Sequence, residues 1–236
     1  MNTTRSYIFL LLATCLAQLA HAQQLPDPKR YEETILNFEH QDRLHPPPEG
    51  AIVLTGSSSI ARWNDQAQAA LAPLTVISRG FGGSVMNDVL YYLDRITLTY
   101  KPRAILIYEG DNDSGRDFIP NTMVIEQLQQ IISRIHEELP ETRIYIMGVK
   151  PSVLRWDYWS KAQQLSKAYQ ELTEQDSLLF YIDAAKPFLD VNGEVMTDIF
   201  VDDDLHFNAL GNAIWGSIIK AALMPMEARF ESAINK

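Results

Sequence analysis

Cysteine is almost absent from this sequence, and Cys15 is the only one in 236 residues. Because Cys15 falls within an N-terminal leader, the remaining residues include no cysteine for a disulfide and must be stabilised by the packing of their core. The sequence also has no HExxH motif, no paired cysteines and no calcium-binding loop. We therefore expect neither a metal ion nor any other cofactor.

An excess of positive charge is also missing. The sequence has 20 lysines and arginines against 30 aspartates and glutamates, which corresponds to a formal net charge of −10 at pH 7. A surface with this charge repels the phosphate groups of nucleic acids and of anionic lipids. Nucleic acid is therefore not an expected partner.

Only the N-terminus carries an apolar run of notable length. Residues 7–20 form this run, which follows a cationic start and precedes the small-x-small pattern Ala20-His21-Ala22. Because the run is shorter than the ~20 residues that span a bilayer, it predicts a secretory signal sequence at residues 1–22 rather than a membrane anchor. Thr14 fits poorly with lipid attachment at Cys15. We expect an exported protein, periplasmic or extracellular, with no stable membrane anchor.

The remaining residues, 23–236, are enough for one domain. Its first part, 23–50, is predicted to hold a helix that Asp27 and Pro28 open, and a proline-rich lead-in. Five short apolar runs then occupy residues 51–55, 74–78, 104–108, 143–149 and 178–182. Apolar and polar residues show little alternation within these runs, as is typical of strands buried on both faces. Helical patterns such as 124–139 lie between the runs. The sequence predicts an α/β fold whose five-stranded parallel sheet has helices on both faces.

Polar motifs follow the first three predicted strands. They are Gly56-Ser57-Ser58-Ser59, Gly80-Phe81-Gly82-Gly83-Ser84 and Gly110-Asp111-Asn112-Asp113. Taken singly, each has a structural explanation, as a helix cap, a tight turn after a strand, or an ordinary turn. Their joint occurrence at the carboxyl ends of consecutive strands, where ligands of parallel sheets bind, indicates a site. It would offer a serine hydroxyl, free backbone N–H groups and the amide of Asn112.

A base and an acid lie near the C-terminus. His206 is the best candidate base, because the other histidines beyond the leader do not lie at strand ends. Asp203, three residues earlier, is the favoured acid, and its neighbours Asp202 and Asp204 are alternatives. Asp183, at the end of the last strand, is interpreted as a turn residue or a helix-contacting anion. An early serine with a late acid and base excludes the common α/β-hydrolase arrangement, which has a mid-sequence G-x-S-x-G.

In these blocks the sequence resembles the SGNH (GDSL-type) esterase and lipase superfamily, over essentially the whole length after the leader. The resemblance places the nucleophile on Ser58, the backbone oxyanion donor on Gly83, the side-chain donor on Asn112, and the acid and base on Asp203 and His206. The family's usual Gly-Asp-Ser-Leu is Gly-Ser-Ser-Ser here, so the choice among three adjacent serines depends on the register of the match. The resemblance implies a three-layer α/β/α sandwich with a flavodoxin-like, five-stranded parallel sheet.

The resemblance also implies a serine esterase. His206 would accept the Ser58 proton as the hydroxyl attacks an ester carbonyl, and Asp203 would orient the imidazole. The N–H groups of Ser58 and Gly83 and the side chain of Asn112 would hold the oxyanion. Ser58 thus has two predicted roles, as nucleophile and as a donor of the oxyanion hole.

The substrate stays open at this level. Short acyl or acetyl esters are the expectation, with carbohydrate O-acetyl esters and lysophospholipids as alternatives within the family. The sequence has no inserted hydrophobic segment like the lid of an interfacial lipase, which disfavours a lipase for long acyl groups. The aromatic residues of 155–159 either stack on a sugar ring or bury the start of a helix. A non-catalytic binding module and a flavodoxin-like flavin or nucleotide binder are the alternatives from other classes.

Overall fold

The computed structural model of the protein describes residues 25–234, so the predicted signal sequence at residues 1–22 lies outside the described residues. A five-stranded, fully parallel sheet lies at its centre, with the strand order β2-β1-β3-β4-β5. The strands are β1 (Ile52–Gly56), β2 (Val76–Gly80), β3 (Ala104–Tyr108), β4 (Arg143–Met147) and β5 (Leu179–Ile182). The predicted fold class is confirmed, and the strand order is the flavodoxin-like one.

Helices connect the strands and cover both faces of the sheet. They are α1 (Glu32–Leu44), α2 (Ser58–Ala61), α3 (Ala67–Leu71), α4 (Met86–Ile96), α5 (Asp111–Ser114), α6 (Asn121–Glu138), α7 (Trp159–Thr173), α8 (Ala209–Glu227) and α9 (Glu231–Ile234). Short 3₁₀ turns precede or follow several of them, including Pro28–Tyr31 and Trp156–Tyr158. Within residues 25–234, no helix combines the length and the apolarity needed to cross a membrane.

Successive side chains of each strand enter two separate cores. Val53 and Ile105 pack into one core with α1, α4, α6 and α7. Ile52 and Leu54 pack into the other with α2, α3 and α8. All four are fully buried, and burying a side chain of this size contributes about 1.5–3 kcal/mol to the free energy of unfolding. Burial on both faces explains why the strands read as continuous apolar runs in the sequence.

Two strands differ from their predicted bounds by two residues. Strand β2 begins two residues later than predicted, because the Leu74 N–H donates to the carbonyl of Leu71 and the Thr75 N–H donates to Glu231. Strand β4 ends two residues earlier than predicted, because the Val149 N–H leaves the sheet and donates to the Ser166 hydroxyl at 2.9 Å. In both cases hydrogen bonds to a turn or to a distant helix replace those of the sheet.

The carboxyl ends of the adjacent strands β2, β1 and β3 lie side by side. Gly56, the last residue of β1, is in register with Gly80 of β2 and with Tyr108 of β3. The polar motifs that follow these strands therefore meet at one edge of the sheet.

Candidate active site

Ser58 is presented by a sharp turn at the end of β1. Gly56 has a φ of +143°, and a Cβ atom there would lie 2.1 Å from the carbonyl oxygen of Tyr108, so only glycine fits. The Ser57 N–H donates to that same carbonyl at 3.1 Å, and helix α2 begins at Ser58. Ser57 and Ser59 are buried, whereas Ser58 is partly exposed. Of the three adjacent serines, Ser58 is therefore the most accessible to a ligand.

The His206 imidazole contacts both Ser58 and Asp203. Its Nε2 lies 2.8 Å from the Ser58 Oγ, and its Nδ1 lies 2.7 Å from Oδ2 of Asp203. Because the carboxylate accepts a hydrogen bond from Nδ1, the neutral ring has its lone pair on Nε2, ready for the serine proton. The predicted nucleophile, base and acid thus form one hydrogen-bonded series, although Ser58 and His206 are 148 positions apart in sequence.

Asp203 is fixed by the backbone of its own turn. Its Oδ1 accepts the N–H groups of Leu205 at 3.0 Å and of His206 at 2.8 Å. Burial raises the pKa of Asp203, but these N–H bonds and the bond from the imidazole outweigh it and hold the pKa below its usual range. Asp203 therefore stays ionised at neutral pH. Asp202 and Asp204 are exposed, and Asp204 adopts a φ of +56° in the turn.

The turn that carries His206 is itself supported by the segment after β4. The Leu154 N–H donates to the Asp204 carbonyl at 3.0 Å, and the Lys150 Nζ donates to the Leu205 carbonyl at 2.7 Å. Lys150 is buried, and desolvation lowers its pKa although the nearby Asp111 charge raises it. A buried lysine that binds a backbone carbonyl restricts the turn.

The glycine-rich loop after β2 runs beside Ser58. A Cβ atom on Gly82 would lie 3.8 Å from the Cβ of Ser58, and Gly83 has a φ of +83°. Asn112 of α5 is joined to this loop, because its Nδ2 donates to the carbonyl of Ser84 at 2.8 Å. The structure thus brings the loop of Gly83 and the side chain of Asn112 to the same edge as the Ser58 hydroxyl. Their roles as oxyanion donors stay predictions.

Two side chains that the sequence analysis did not select contact these predicted donors. The Arg155 Nη2 donates to Oδ1 of Asn112 at 2.6 Å, and its Nη1 donates to Asp111 at 2.5 Å. The Tyr31 hydroxyl donates to the carbonyl of Gly82 at 3.0 Å. No local pattern marks Tyr31, since it precedes Gly82 by 51 positions. Arg155 lies in the segment 155–159 after β4, which the sequence analysis named only for its aromatic residues.

Buried acids lie behind the glycine-rich loop. The Ser84 hydroxyl donates to Oε1 of Glu109, while Oε2 of Glu109 and Oδ2 of Asp113 have no hydrogen-bond partner among the described residues. Burial and the Asp113 charge raise the pKa of Glu109 well above its usual value. Burial also raises the pKa of Asp113 to about 6, although the Met86 N–H bond opposes this shift.

The remaining candidates from the sequence have other contacts. Asp183 accepts the N–H groups of Ala185 at 2.8 Å and of Lys186 at 3.1 Å, which is the geometry of a turn residue. Trp156 and Trp159 stack on each other with ring centroids 5.9 Å apart. Among residues 25–234, no group of three or more His, Cys, Asp or Glu side chains is arranged to hold a metal ion.

Comparison with known families agrees with this geometry. The family model described as "GDSL-like Lipase/Acylhydrolase family" matches residues 49–214, which include all of the predicted site residues. The protein belongs to this family. Membership identifies an enzyme that hydrolyses ester bonds, and it confirms the resemblance drawn from the sequence motifs. Among curated proteins, none matches the sequence.

Solved structures of similar proteins share the fold. A candidate platelet activating factor from Streptococcus pneumonia is 21% identical, with a TM-score of 0.72 over 94% of this protein and 100% of that one. A GDSL-like lipase from Bacteroides thetaiotaomicron is 14% identical, with a TM-score of 0.70 over 81% and 97%. A catalytic mutant of an acetylxylan esterase from Geobacillus stearothermophilus is 13% identical, with a TM-score of 0.61 over 75% and 95%. At these identities the likeness concerns the fold.

Proposed function

We propose that this GDSL-family enzyme is a serine esterase that hydrolyses short acyl or acetyl esters through Ser58, His206 and Asp203. The observation that carries the proposal is the continuous series of hydrogen bonds from the Ser58 Oγ through the His206 imidazole to Asp203, at 2.8 and 2.7 Å. Distances of this size put a nucleophile and its base within reach of proton transfer. A binding module would have no use for such an arrangement.

The reaction would proceed through an acyl-enzyme. His206 accepts the Ser58 proton at Nε2 while the Oγ bonds to the ester carbonyl carbon, and the carbonyl electron pair moves to oxygen. The resulting oxyanion is held by the N–H groups of Ser58 and Gly83 and by the amide of Asn112. The tetrahedral species collapses, the alcohol leaves with the proton from His206, and water then repeats these steps to release the acid. Asp203 stabilises the imidazolium in both halves.

An acetyl group on a carbohydrate is the substrate we favour. The site lies open to solvent, since the Asp203 side chain is 40% exposed and Gly82 of the glycine-rich loop is exposed. An open edge admits a bulky alcohol such as a glycan, whereas a long acyl group needs an apolar channel for its burial.

A panel of esters tests the activity and the acyl preference together. We expect p-nitrophenyl acetate to be hydrolysed with a higher kcat/KM than its butyrate, octanoate and palmitate analogues. Acetylated xylan should release acetate, whereas lysophospholipid should release little fatty acid. A kcat/KM that rises with acyl length, or preferential cleavage of lysophospholipid, would contradict the acetyl preference while leaving the esterase intact.

The adjacent serines supply matched controls for the nucleophile. Ser58→Ala should lower turnover to about a thousandth or less and abolish labelling by a fluorophosphonate. Ser57→Ala and Ser59→Ala remove hydroxyls that lie in the same turn, and these variants should still be labelled. Labelling that persists in Ser58→Ala, or that disappears in one of the two controls instead, would assign the nucleophile to another serine.

We further propose that the enzyme is exported, with cleavage after Ala22 of the predicted signal sequence. Expression of the protein with residues 1–22 in a Gram-negative host should produce mature enzyme outside the cytoplasm, beginning at Gln23 by N-terminal sequencing. Uncleaved protein confined to the cytoplasm would refute export without affecting the esterase assignment.

A further inference from the structure

The two predicted oxyanion donors outside Ser58 share a structural feature. Each is the N–H of an amide, one in the backbone at Gly83 and one in the side chain of Asn112. In each amide the carbonyl oxygen accepts a hydrogen bond from another residue, Tyr31 in the first case and Arg155 in the second. Both supporting residues come from elements outside the four sequence motifs.

The bond from Tyr31 determines the direction of the Gly83 N–H. Tyr31 donates to the Gly82 carbonyl at 3.0 Å, and this carbonyl belongs to the same planar peptide unit as the Gly83 N–H. In a trans peptide the N–H points opposite to the C=O, so a hydroxyl that holds the oxygen also aims the N–H away from Tyr31. Gly83, at a φ of +83°, lies in a loop with little conformational restriction of its own.

The bond from Arg155 determines which end of the Asn112 amide faces the site. Its guanidinium lies 2.6 Å from Oδ1 and has no acceptor atom, so the reversed amide would place two donors against each other. In the observed orientation, Nδ2 uses one hydrogen for the Ser84 carbonyl at 2.8 Å. The second hydrogen of Nδ2 remains for an oxyanion.

Both supporting residues are themselves held in place. The Tyr31 ring packs edge-on against Phe81 with centroids 5.0 Å apart, and the Arg30 guanidinium lies 4.4 Å above it. Burial raises the pKa of Tyr31, which keeps its hydroxyl protonated. The second arm of Arg155 binds Asp111 at 2.5 Å. Because Nη1 and Nη2 of its guanidinium both donate to protein groups, Arg155 is oriented toward Asn112 rather than toward a substrate.

We propose that Tyr31 and Arg155 are positioning residues of the oxyanion hole, each acting through the carbonyl oxygen of the amide that donates to the substrate. A bond to the oxygen polarises an amide and strengthens its N–H as a donor, in addition to orienting it. This inference rests on the proposed serine esterase function and on the donor roles of Gly83 and Asn112. It adds two residues that contact neither the substrate nor the reacting atoms.

Two substitutions and two matched controls test the proposal with p-nitrophenyl acetate. Tyr31→Phe removes the hydroxyl and keeps the ring, and we expect kcat to fall about 3- to 10-fold. Arg155→Met should lower kcat about 10- to 100-fold, because the lost bond is charge-assisted. KM should change less than about 2-fold in both variants. Tyr92→Phe and Arg134→Met remove a similar hydroxyl and a similar guanidinium elsewhere around the same core, and both should keep the original kcat.

A double-mutant cycle separates positioning from a general structural effect. In an Asn112→Ala background, Arg155→Met should lower kcat by less than about 2-fold, because its target is gone. Tyr31→Phe should retain its full effect there, because it acts through Gly83. If Arg155→Met does not fold, Arg155→Lys keeps a positive charge beside Asp111, lacks the planar fork that also holds Oδ1 of Asn112, and allows the same comparison.

The outcomes distinguish this inference from the proposed function. An equal loss from Arg155→Met with and without Asn112, a rise in KM at constant kcat, or a Tyr31→Phe variant that matches Tyr92→Phe would overturn the positioning roles alone. A protein that hydrolyses no ester, or an Asn112→Ala variant with normal turnover, would refute the proposed site and this inference with it.

Discussion

Buried carboxylates at the two ends of the sheet differ in how completely they are bonded. At the amino end, Glu227 of α8 has no exposed surface and accepts bonds from Arg103, Arg143 and Tyr145, at 2.5 to 3.1 Å. At the carboxyl end, Glu109 accepts one bond from the Ser84 hydroxyl. Its second oxygen has no partner among the described residues.

The difference shows where this fold gains stability and where it gives stability up. A buried carboxylate with all of its partners is costly to break apart, whereas a buried carboxyl oxygen without a partner costs desolvation energy in the folded state. In parallel sheets the carboxyl end carries the ligand site, and polar groups there are arranged for reaction rather than for stability. Substitutions at the amino end should therefore mainly lower the free energy of unfolding, and substitutions at the carboxyl end should mainly lower kcat.

Removing the carboxylate at the amino end should cause the largest loss of stability. Glu227→Ala leaves the Arg143 guanidinium, 13% exposed, without the carboxylate that it binds at 2.5 Å. We expect the free energy of unfolding to fall by about 3–5 kcal/mol, as for other broken buried ion pairs, measured by urea denaturation. Glu49→Ala removes an exposed pair with Lys101 and should change it by less than about 1 kcal/mol. Equal effects in the two variants would contradict the comparison.

Asn112→Ala, at the carboxyl end, should affect catalysis more than the stability of the fold. Loss of one oxyanion donor lowers kcat about 10²- to 10³-fold, equivalent to about 2.7–4 kcal/mol in the barrier. The free energy of unfolding should fall by about 1–3 kcal/mol, because the carbonyl of the buried residue Ser84 loses its hydrogen bond. Steady-state kinetics and urea denaturation of the same preparation measure both. Turnover close to that of the unmodified enzyme would show that Asn112 is not a donor.

The unsatisfied acids at the carboxyl end should make stability depend on pH. Burial raises the pKa of Asp113 from 3.8 to about 6, so the folded protein keeps a proton that the unfolded state has already released in this window. Because the folded state then binds more protons, the free energy of unfolding falls as the pH rises through the window and stays low above it.

Asp113→Asn removes this titration and keeps Oδ1 as an acceptor for the Met86 N–H, which lies 3.1 Å away. The fall in unfolding free energy between about pH 4 and pH 7 should be smaller in the variant by about 1–3 kcal/mol. Urea denaturation at a series of pH values checks this, with the exposed Asp94→Asn as control. Parallel curves for Asp113→Asn and the unmodified protein would show that Asp113 titrates normally.

The sequence was sufficient to predict the sheet and to place the polar motifs at the carboxyl ends of its strands. Apolar runs such as 104–108 predicted β3 with its observed bounds, because strands buried on both faces need apolar residues at every position. The predicted bounds of β2 were two residues too early. Distant groups such as Glu231 bind the backbone before this strand, and no local sequence pattern indicates such bonds.

The four motifs led to Ser58, Asn112, Asp203 and His206, because each lies at the end of a strand or beside a partner in sequence. Tyr31 and Arg155 were missed for the opposite reason. Their contacts with the Gly82 carbonyl and with Asn112 arise only when the segments before α1 and after β4 pack against the sheet. Residues that contact a motif from a distant segment have no fixed sequence spacing to that motif, so a single sequence does not reveal them.

The smallest effect on kcat and on the free energy of unfolding is expected from breaking an exposed ion pair at the carboxyl end. The Arg62 Nη2 lies 3.6 Å from Oδ2 of Asp203, and the two side chains are 55% and 40% exposed. Exposed pairs of this kind contribute about 0–1 kcal/mol. Asp203 is already oriented by the N–H groups of Leu205 and His206, so its position does not depend on the arginine.

Arg62→Met should therefore change kcat less than about 3-fold and the unfolding free energy less than about 1 kcal/mol. Kinetics at low and high salt check this, because an exposed pair is screened by added ions. A loss of turnover above about 10-fold at every salt concentration would contradict the expectation. It would mean that the acid depends on Arg62 as Arg143 and Glu227 depend on each other at the opposite end of the sheet.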